Sequence, residues 1–587
     1  MRRTFTNFVS AGLLLLAGGS AMAAKPNVVL IVTDDQGYGE LGVTGNPVVR
    51  TPNIDRLAKS SVSLTQFYVM PVCSPTRAGL LTGRNHYRTG VTDTWMGRSL
   101  MDAKETTLAE MFASAGYHTG IFGKWHLGDN YPRRAMDQGF QESLVLNGGG
   151  LGQPSDLPET RDARGAYFDP TLLHNGKPVK TTGYVADVIT DAADAFIVDH
   201  AAEPFFVYLA FNTPHTPLQV PEAYRAHYPP AAFDRSRFPS AGNPMPDKHD
   251  PIALSRVYGM IENIDDNVGK VLATLDELKL ADNTIVVVLS DNGCEQHDGF
   301  NAGLRDWKGS PYEGGIRQFC FIRWPVGLPT PQQVDRLTSH MDITPTLLDL
   351  CSVAPRASVK FDGQSLASLL KGEPVDWPDR TIVFQWHRGD APQRYRSMAV
   401  RSERWKLVQP KGRGERWDGS TSFELYDIRR DPYEQHDVSI DHPVEVRTLR
   451  AAYDTWFDEL VASRDFTTPT RIAVGTPHEN PVLLTRQDWR GPQANWSATG
   501  RGYWDVSIEP GGTYDITLRF DAPATDARLN LKCADVRLER TTPQGETSFT
   551  FTNVRLPEGP ARLEATISTA PAPVGVRYVE VLRKEEK

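Results

Sequence analysis

Asp34-Asp35 and Asp291-Asn292 offer oxygen donors and nothing else, a set that suits a hard cation such as Ca²⁺, with Mg²⁺ second, over zinc. Lys124 and His126, in the run Lys124-Trp125-His126, together with His215, add positive charge and proton carriers. Cys73 stands just before an expected helix, where backbone N–H groups and the helix dipole favour an anion. Arg77, about one turn later, could hold a nucleophile there in its ionised form. The chemistry within reach is cation binding, neutralisation of an anionic substrate, nucleophilic attack and proton transfer.

These clusters gain meaning from the elements that must position them. Apolar runs at 27–33, 62–68, 119–122, 204–211 and 284–289 alternate with amphipathic stretches at 51–60 and 106–115, the rhythm of a parallel sheet flanked by helices. Thr51-Pro52 reads as a helix start and Gly116 as a helix end. Asp34-Asp35, Lys124 to His126, His215 and Asp291-Asn292 each follow one of the expected strands. In an open α/β sheet the carboxyl edge is where ligands bind, so segments remote in sequence should converge on one crevice.

The fold class is therefore α/β: a large mixed, mostly parallel sheet sandwiched by helices (24–375), then a smaller antiparallel α+β subdomain (376–465). Its strands are expected at 382–385, 398–401 and 405–408, and its helix at 444–462. Gly, Pro and charged residues dominate 129–180 and 221–251, which read as long loops. A Thr- and Pro-rich connection (466–480) leads to a C-terminal β-sandwich (481–587) with alternating strands at 503–508, 513–520, 527–531 and 577–582. Trp489, Trp496 and Trp504 fit a sandwich core better than a sugar platform.

The stretch Pro71-Val72-Cys73-Ser74-Pro75-Thr76-Arg77, followed by Leu81-Thr82-Gly83-Arg84, resembles the signature of the formylglycine-dependent (type I) sulfatases, arylsulfatase-like members of the alkaline phosphatase superfamily. The likeness extends through Asn53 to Leu57, Gly123 to Gly128, Pro214 to Pro217, Ser290 to Gly293 and Lys308 to Arg317, covering residues 27 to about 460. It implies that a maturation enzyme oxidises Cys73 to formylglycine (3-oxoalanine). It further implies that Asp34, Asp35, Asp291, Asn292 and modified Cys73 coordinate calcium, while Arg77, Lys124, His126, His215 and Lys308 surround the sulfate. Arg305-Asp306-Trp307, before Lys308, and Cys294 depart from the family pattern.

By that resemblance the protein is a sulfuric ester hydrolase. A hydroxyl of hydrated formylglycine attacks sulfur, His215 with Lys308 protonates the leaving alcohol, and His126 takes the proton that lets sulfate leave. The expected substrate is a sulfated sugar or an aryl sulfate. Trp95, Arg98, Trp386, His387, Arg388 and Arg394 are aromatic and cationic candidates for holding it. The competing expectations are a phosphate or phosphonate monoester hydrolase on the same fold and, more remotely, a noncatalytic glycan-binding protein.

Composition narrows the setting. Arg2-Arg3, an apolar run at 11–17 and Ala21-Met22-Ala23 form an expected signal peptide (1–23), placing the mature protein in the periplasm or outside the cell with no stable membrane insertion. Removal of its two arginines takes the formal net charge from −9 to −11, which excludes nucleic-acid binding through a general basic surface. Five scattered cysteines leave at least one thiol unpaired or modified.

Overall fold

The computed structural model describes residues 25–158, 166–414, 416–523, 525–569 and 572–584. The expected signal peptide lies outside them. Among the described residues, no helix is long and apolar enough to cross a membrane.

Eleven strands form the main sheet: β1 (Asn27–Asp34), β2 (Val62–Tyr68), β3 (His118–Lys124), β4 (Glu142–Leu146), β5 (Thr171–His174), β6 (Lys177–Lys180), β7 (Phe205–Pro214), β8 (Thr284–Ser290), β9 (Arg317–Gln318), β10 (Cys320–Arg323) and β11 (Gln332–Ser339). Their order is β11-β2-β10-β8-β1-β7-β3-β4-β5-β6, with β9 on β2. Neighbours are parallel from β8 through β1, β7 and β3 to β4, and the short β10 runs antiparallel between β8 and β2.

Alternation along β1 explains its unbroken apolar composition. Val28, Leu30 and Val32 pack on one face with Leu80, Phe112 and Leu347; Val29 and Ile31 pack on the other with Leu57, Ile189 and Ile264. A strand covered on both faces needs apolar side chains at every position. The helices Cys73–Thr82, Leu108–Ser114 and Ile343–Leu350 serve the first face, and Pro52–Lys59, Val185–Asp199 and Pro251–Glu277 the second.

One expected loop is corrected. Residues 129–180 contain β4, β5 and β6, because a four- or five-residue strand flanked by turns carries too little periodicity to stand out. The side chains of β6 are exposed throughout, so no apolar alternation marks it.

A second sheet, β12 (Ile382–Gln385), β13 (Met398–Arg401), β14 (Trp405–Gln409) and β15 (Glu424–Asp427), is antiparallel and backed by the helix Pro443–Ala462. Two further sheets close around one core that contains Trp489 and Trp504. One of them begins with Ile472–Val474, which pairs with Tyr503–Ile508 inside the stretch expected to be a plain connection. Three residues are too few to show a strand pattern in a Thr- and Pro-rich run. That core also takes in Met96 and Leu100 from the segment after the Cys73 helix, so the C-terminal sheets are packed against the body built on the main sheet. All five cysteines are buried and free.

Candidate active site

The carboxyl ends of β1, β3, β7 and β8 deliver their clusters to one crevice. Asp34 is the last residue of β1, and Asp35 follows in the left-handed region at φ +65°, which aspartate tolerates better than most residues. Lys124 ends β3, His215 follows β7, and Asp291-Asn292 follow β8. Cys73 is the first residue of its helix and Arg77 lies one turn in, both fully enclosed.

Two chains of charge cross the site. Lys124 Nζ donates to Asp34 Oδ2 at 2.7 Å and Oδ1 at 2.9 Å. Arg77 donates from Nε and Nη2 to Asp291 Oδ2 at 3.0 and 2.8 Å, and from Nη1 to the Lys124 carbonyl at 3.0 Å. In the second chain Lys308 Nζ donates to Asp35 Oδ2 at 2.6 Å, and His215 Nε2 lies 3.6 Å from the same oxygen. The Asp35 backbone N–H donates to Asp291 Oδ1 at 3.1 Å, tying the two together.

Burial would raise both Asp34 and Asp35, yet Lys124 beside Asp34, and Lys308 and His215 beside Asp35, hold them below the usual carboxylate range. Asp291 goes the other way. Burial and the Asp34 carboxylate push it up to about 7 against the pull of Arg77. Burial opposes the charge on Lys308, but Asp35 and Glu295 outweigh it and hold its pKa well above the ordinary value.

The residues present fit a hard divalent cation. Ligand atoms of Asp34, Cys73 and Asp291 all lie within 4.8 Å of one another. Asn292 donates from Nδ2 to Asp35 Oδ1 at 2.7 Å, and its Oδ1 is buried with no partner. An orphaned amide oxygen beside three carboxylates is a donor set for calcium or magnesium.

His126 faces Cys73, with Nδ1 3.5 Å from Sγ. Its Nε2 donates to the Thr94 carbonyl at 2.7 Å, which leaves the Nδ1 lone pair toward position 73. Burial, reinforced by Lys124, drives its pKa well below the ordinary histidine value, so the ring is neutral.

Of the residues expected to hold substrate, Trp95, Arg98, Trp386 and Arg388 gather around the buried carboxylate of Asp93. Trp386 Nε1 donates to it at 3.1 Å and Arg388 Nη1 at 2.8 Å; Arg98 Nη1 is 3.5 Å away, and Arg388 lies 5.4 Å over the Trp95 ring. His387 and Arg394 stand apart. His387 is buried, with Nδ1 donating to the Arg388 carbonyl and Nε2 accepting from Gln393 N–H. Arg394 is tied to Asp454 and Asp458 on the outer helix.

Three contributors escaped sequence reasoning. Asp93 sits in a Thr-Asp-Thr turn that nothing local distinguishes. Glu295 reaches Thr216 and lies 4.0 Å from Lys308. Gln487, from the C-terminal sheets, donates to the Thr94 carbonyl at 2.9 Å and lies 3.4 Å from His126 Nε2.

Known proteins share this framework. The Sulfatase family model matches residues 26–353, and the model for the C-terminal part of N-sulphoglucosamine sulphohydrolase matches 305–452. Bovine (Bos taurus) arylsulfatase A is 32% identical over 426 residues, covering 67% of this chain and 76% of its own. An N-acetylgalactosamine-6-O-sulfatase of Bacteroides thetaiotaomicron is 29% identical, covering 72% and 92% respectively. The crystal structure of Ps i-CgsB in complex with k-i-k-neocarrahexaose superposes with a TM-score of 0.62 at 30% identity, over 74% of this chain and 92% of that one. With the family model spanning more than half of its length, and the strand ends arranged as described, this chain belongs to the sulfatase family of the alkaline phosphatase superfamily and is a sulfatase.

Proposed function

We propose that the enzyme removes sulfate from a sulfated carbohydrate, using Cys73 in its formylglycine form and a bound calcium ion. The observation that carries this is the enclosure of Cys73 within 4.8 Å of the Asp34 and Asp291 ligand atoms, with Lys124 and Arg77 at the same carboxylates. Asp34, Asp35, Asp291, Asn292 and residue 73 would hold the cation. When bound, calcium supplies Lewis-acid polarisation of the sulfate, and the hydrated aldehyde supplies the attacking hydroxyl.

The chain's own residues do the rest. Lys124 and Lys308 neutralise the nonbridging sulfate oxygens in a site screened from water, where a fixed charge counts for most. His215, oriented by its Nδ1 bond to the Thr216 carbonyl at 2.6 Å, donates a proton to the leaving alcohol. His126 accepts a proton at Nδ1 from the hydroxyl at position 73, which lets sulfate depart.

The cluster of Trp95, Trp386, Arg98 and Arg388 supports a sugar ring bearing acidic groups, in keeping with relatives named for sulfated sugars. With the expected leader the enzyme works in the periplasm or outside the cell, after a maturation enzyme has modified Cys73. Mass spectrometry of the Cys73 peptide from protein made in its natural host should show the loss of sulfur that formylglycine entails. Turnover of 4-nitrophenyl sulfate should exceed that of 4-nitrophenyl phosphate; the reverse ranking, or an unmodified Cys73 in fully active enzyme, sinks the reading.

A further inference from the structure

The loop of residues 90–98 has the catalytic crevice on one side, where the Thr94 carbonyl accepts from His126. Its other side forms a wall of a second cavity of about 700 Å³, closed by the 464–470 stretch and by the C-terminal sheets. That volume lies within the range of sites for organic ligands and is far more than one sulfate needs. Both family models end by residue 452, so the outer walls lie beyond what they describe.

The lining combines the rings of Trp95, Phe466 and Tyr503 with four guanidinium groups, of Arg98, Arg464, Arg490 and Arg562, which outnumber the three lining carboxylates, Asp390, Asp465 and Asp505. Arg98 Nε and Arg490 Nη1 share one carboxylate, Asp390, at 2.8 and 2.7 Å. Arg490 also donates to the Gly97 carbonyl, fixing the C-terminal sheets against the loop. Arg562 lies 4.4 Å over the Tyr503 ring and 3.4 Å from Asp505, yet its side chain is 65% exposed. Asp505 itself is sealed inside and also lies 3.7 Å from Arg471 and 3.9 Å from Arg490. The inner wall shares its loop with the catalytic side: Arg98 also lies 3.5 Å from Asp93, and Thr94, next in the loop, accepts from His126.

Aromatic faces beside planar guanidinium groups recognise a sugar ring that carries sulfate or carboxylate. We propose that this cavity binds a further acidic sugar of the same substrate chain, beyond the unit whose sulfate is cleaved. The inference rests on the sulfated-carbohydrate reading of the catalytic site. It makes the C-terminal sheets part of substrate recognition and the enzyme selective for oligosaccharides over single sugars.

The test uses the full-length matured enzyme and its variants Arg562→Glu and Tyr503→Ala, with thermal melts to verify folding. Arg562 is largely exposed and Asp505 keeps two other arginines, so Arg562→Glu should fold. Calorimetry would measure binding of sulfated hexasaccharides from iota-carrageenan, chondroitin sulfate and heparin, each beside its desulfated form. At least one sulfated hexasaccharide should bind the wild type, fivefold or more weakly after either substitution, and more weakly in high salt. Its desulfated form should not bind, and 4-nitrophenyl sulfate turnover should stay within twofold of wild type. Equal hexasaccharide affinity in wild type and folded Arg562→Glu, equal binding of the desulfated form, or no hexasaccharide binding at all overturns the cavity assignment. Absence of any sulfate-ester turnover by the matured wild type overturns the parent reading instead, and the binding measurements still decide the cavity.

Discussion

His126 holds its Nδ1 3.5 Å from Cys73 Sγ while the Thr94 carbonyl, 2.7 Å from Nε2, fixes which nitrogen carries the proton. Replacing His126 with Ala removes the proposed proton acceptor and leaves Lys124 and Lys308 in place. The kcat for 4-nitrophenyl sulfate should fall by roughly 10²- to 10⁴-fold, the usual worth of a general base, with KM changed little. A KM effect with kcat intact would show that His126 only binds.

Calcium should raise the melting temperature and EDTA should lower it. At a hundredfold excess over Kd a single bound ion adds about 2.7 kcal/mol of stability. Asp291→Asn, which weakens the donor set beside the orphaned Asn292 oxygen, should abolish most of that rise in a calorimetric titration. A melting temperature indifferent to calcium, magnesium and EDTA would count against the cation site.

Arg77 is fully buried and neutralises Asp291 at 2.8 Å and Asp34 at 3.7 Å. Arg77→Ala leaves those carboxylates enclosed with one cation fewer, a change that costs about 3–5 kcal/mol in comparable buried pairs. Chemical denaturation should register the loss. Arg77→Lys should be intermediate, because one ammonium cannot serve Asp291 and the Lys124 carbonyl with the same fork. A loss under about 1 kcal/mol in Arg77→Ala would contradict the assignment of charges.

Gln487 braces the Thr94 carbonyl from the C-terminal sheets. Gln487→Ala should cost roughly 1 kcal/mol, the worth of one hydrogen bond, and so lower kcat about fivefold. Ending the chain after residue 465 uncovers Met96 and Leu100 as well, so the shortened protein should aggregate or melt well below the full chain. A truncated protein with full activity would free the catalytic body from its C-terminal partner.

Asp488 should give stability a pH dependence of its own. Burial, and then the Asp129 carboxylate, push it up to about 8 from an ordinary 3.8. Its proton is held more tightly in the folded state, so its contribution is complete below the ordinary value and is lost as pH rises through about 8. Since each tenfold gain in proton affinity is worth about 1.4 kcal/mol, the decline should be on the order of a few kcal/mol. Melting temperatures of Asp488→Asn between pH 5 and 8 should fall less steeply than those of wild type; parallel curves would refute this.

Much of the candidate crevice was legible in the chain because four of its contributors end apolar runs. Asp34, Lys124, His215 and Asp291 sit at the carboxyl ends of β1, β3, β7 and β8, and parallel pairing of buried strands brings such ends together whatever lies between them. The run from Cys73 to Arg77 is local in the same sense, one helical turn with its own spacing. What tertiary structure alone decided lies across long separations: Gln487 meeting His126 over 361 residues, Arg98 and Arg490 sharing Asp390, and Met96 entering the core of the C-terminal sheets. No periodicity encodes those meetings, because they depend on how finished surfaces fit and not on the pattern within any one segment. The same holds for β4 to β6 and Ile472–Val474, strands too short to announce themselves until a neighbour supplies their hydrogen bonds.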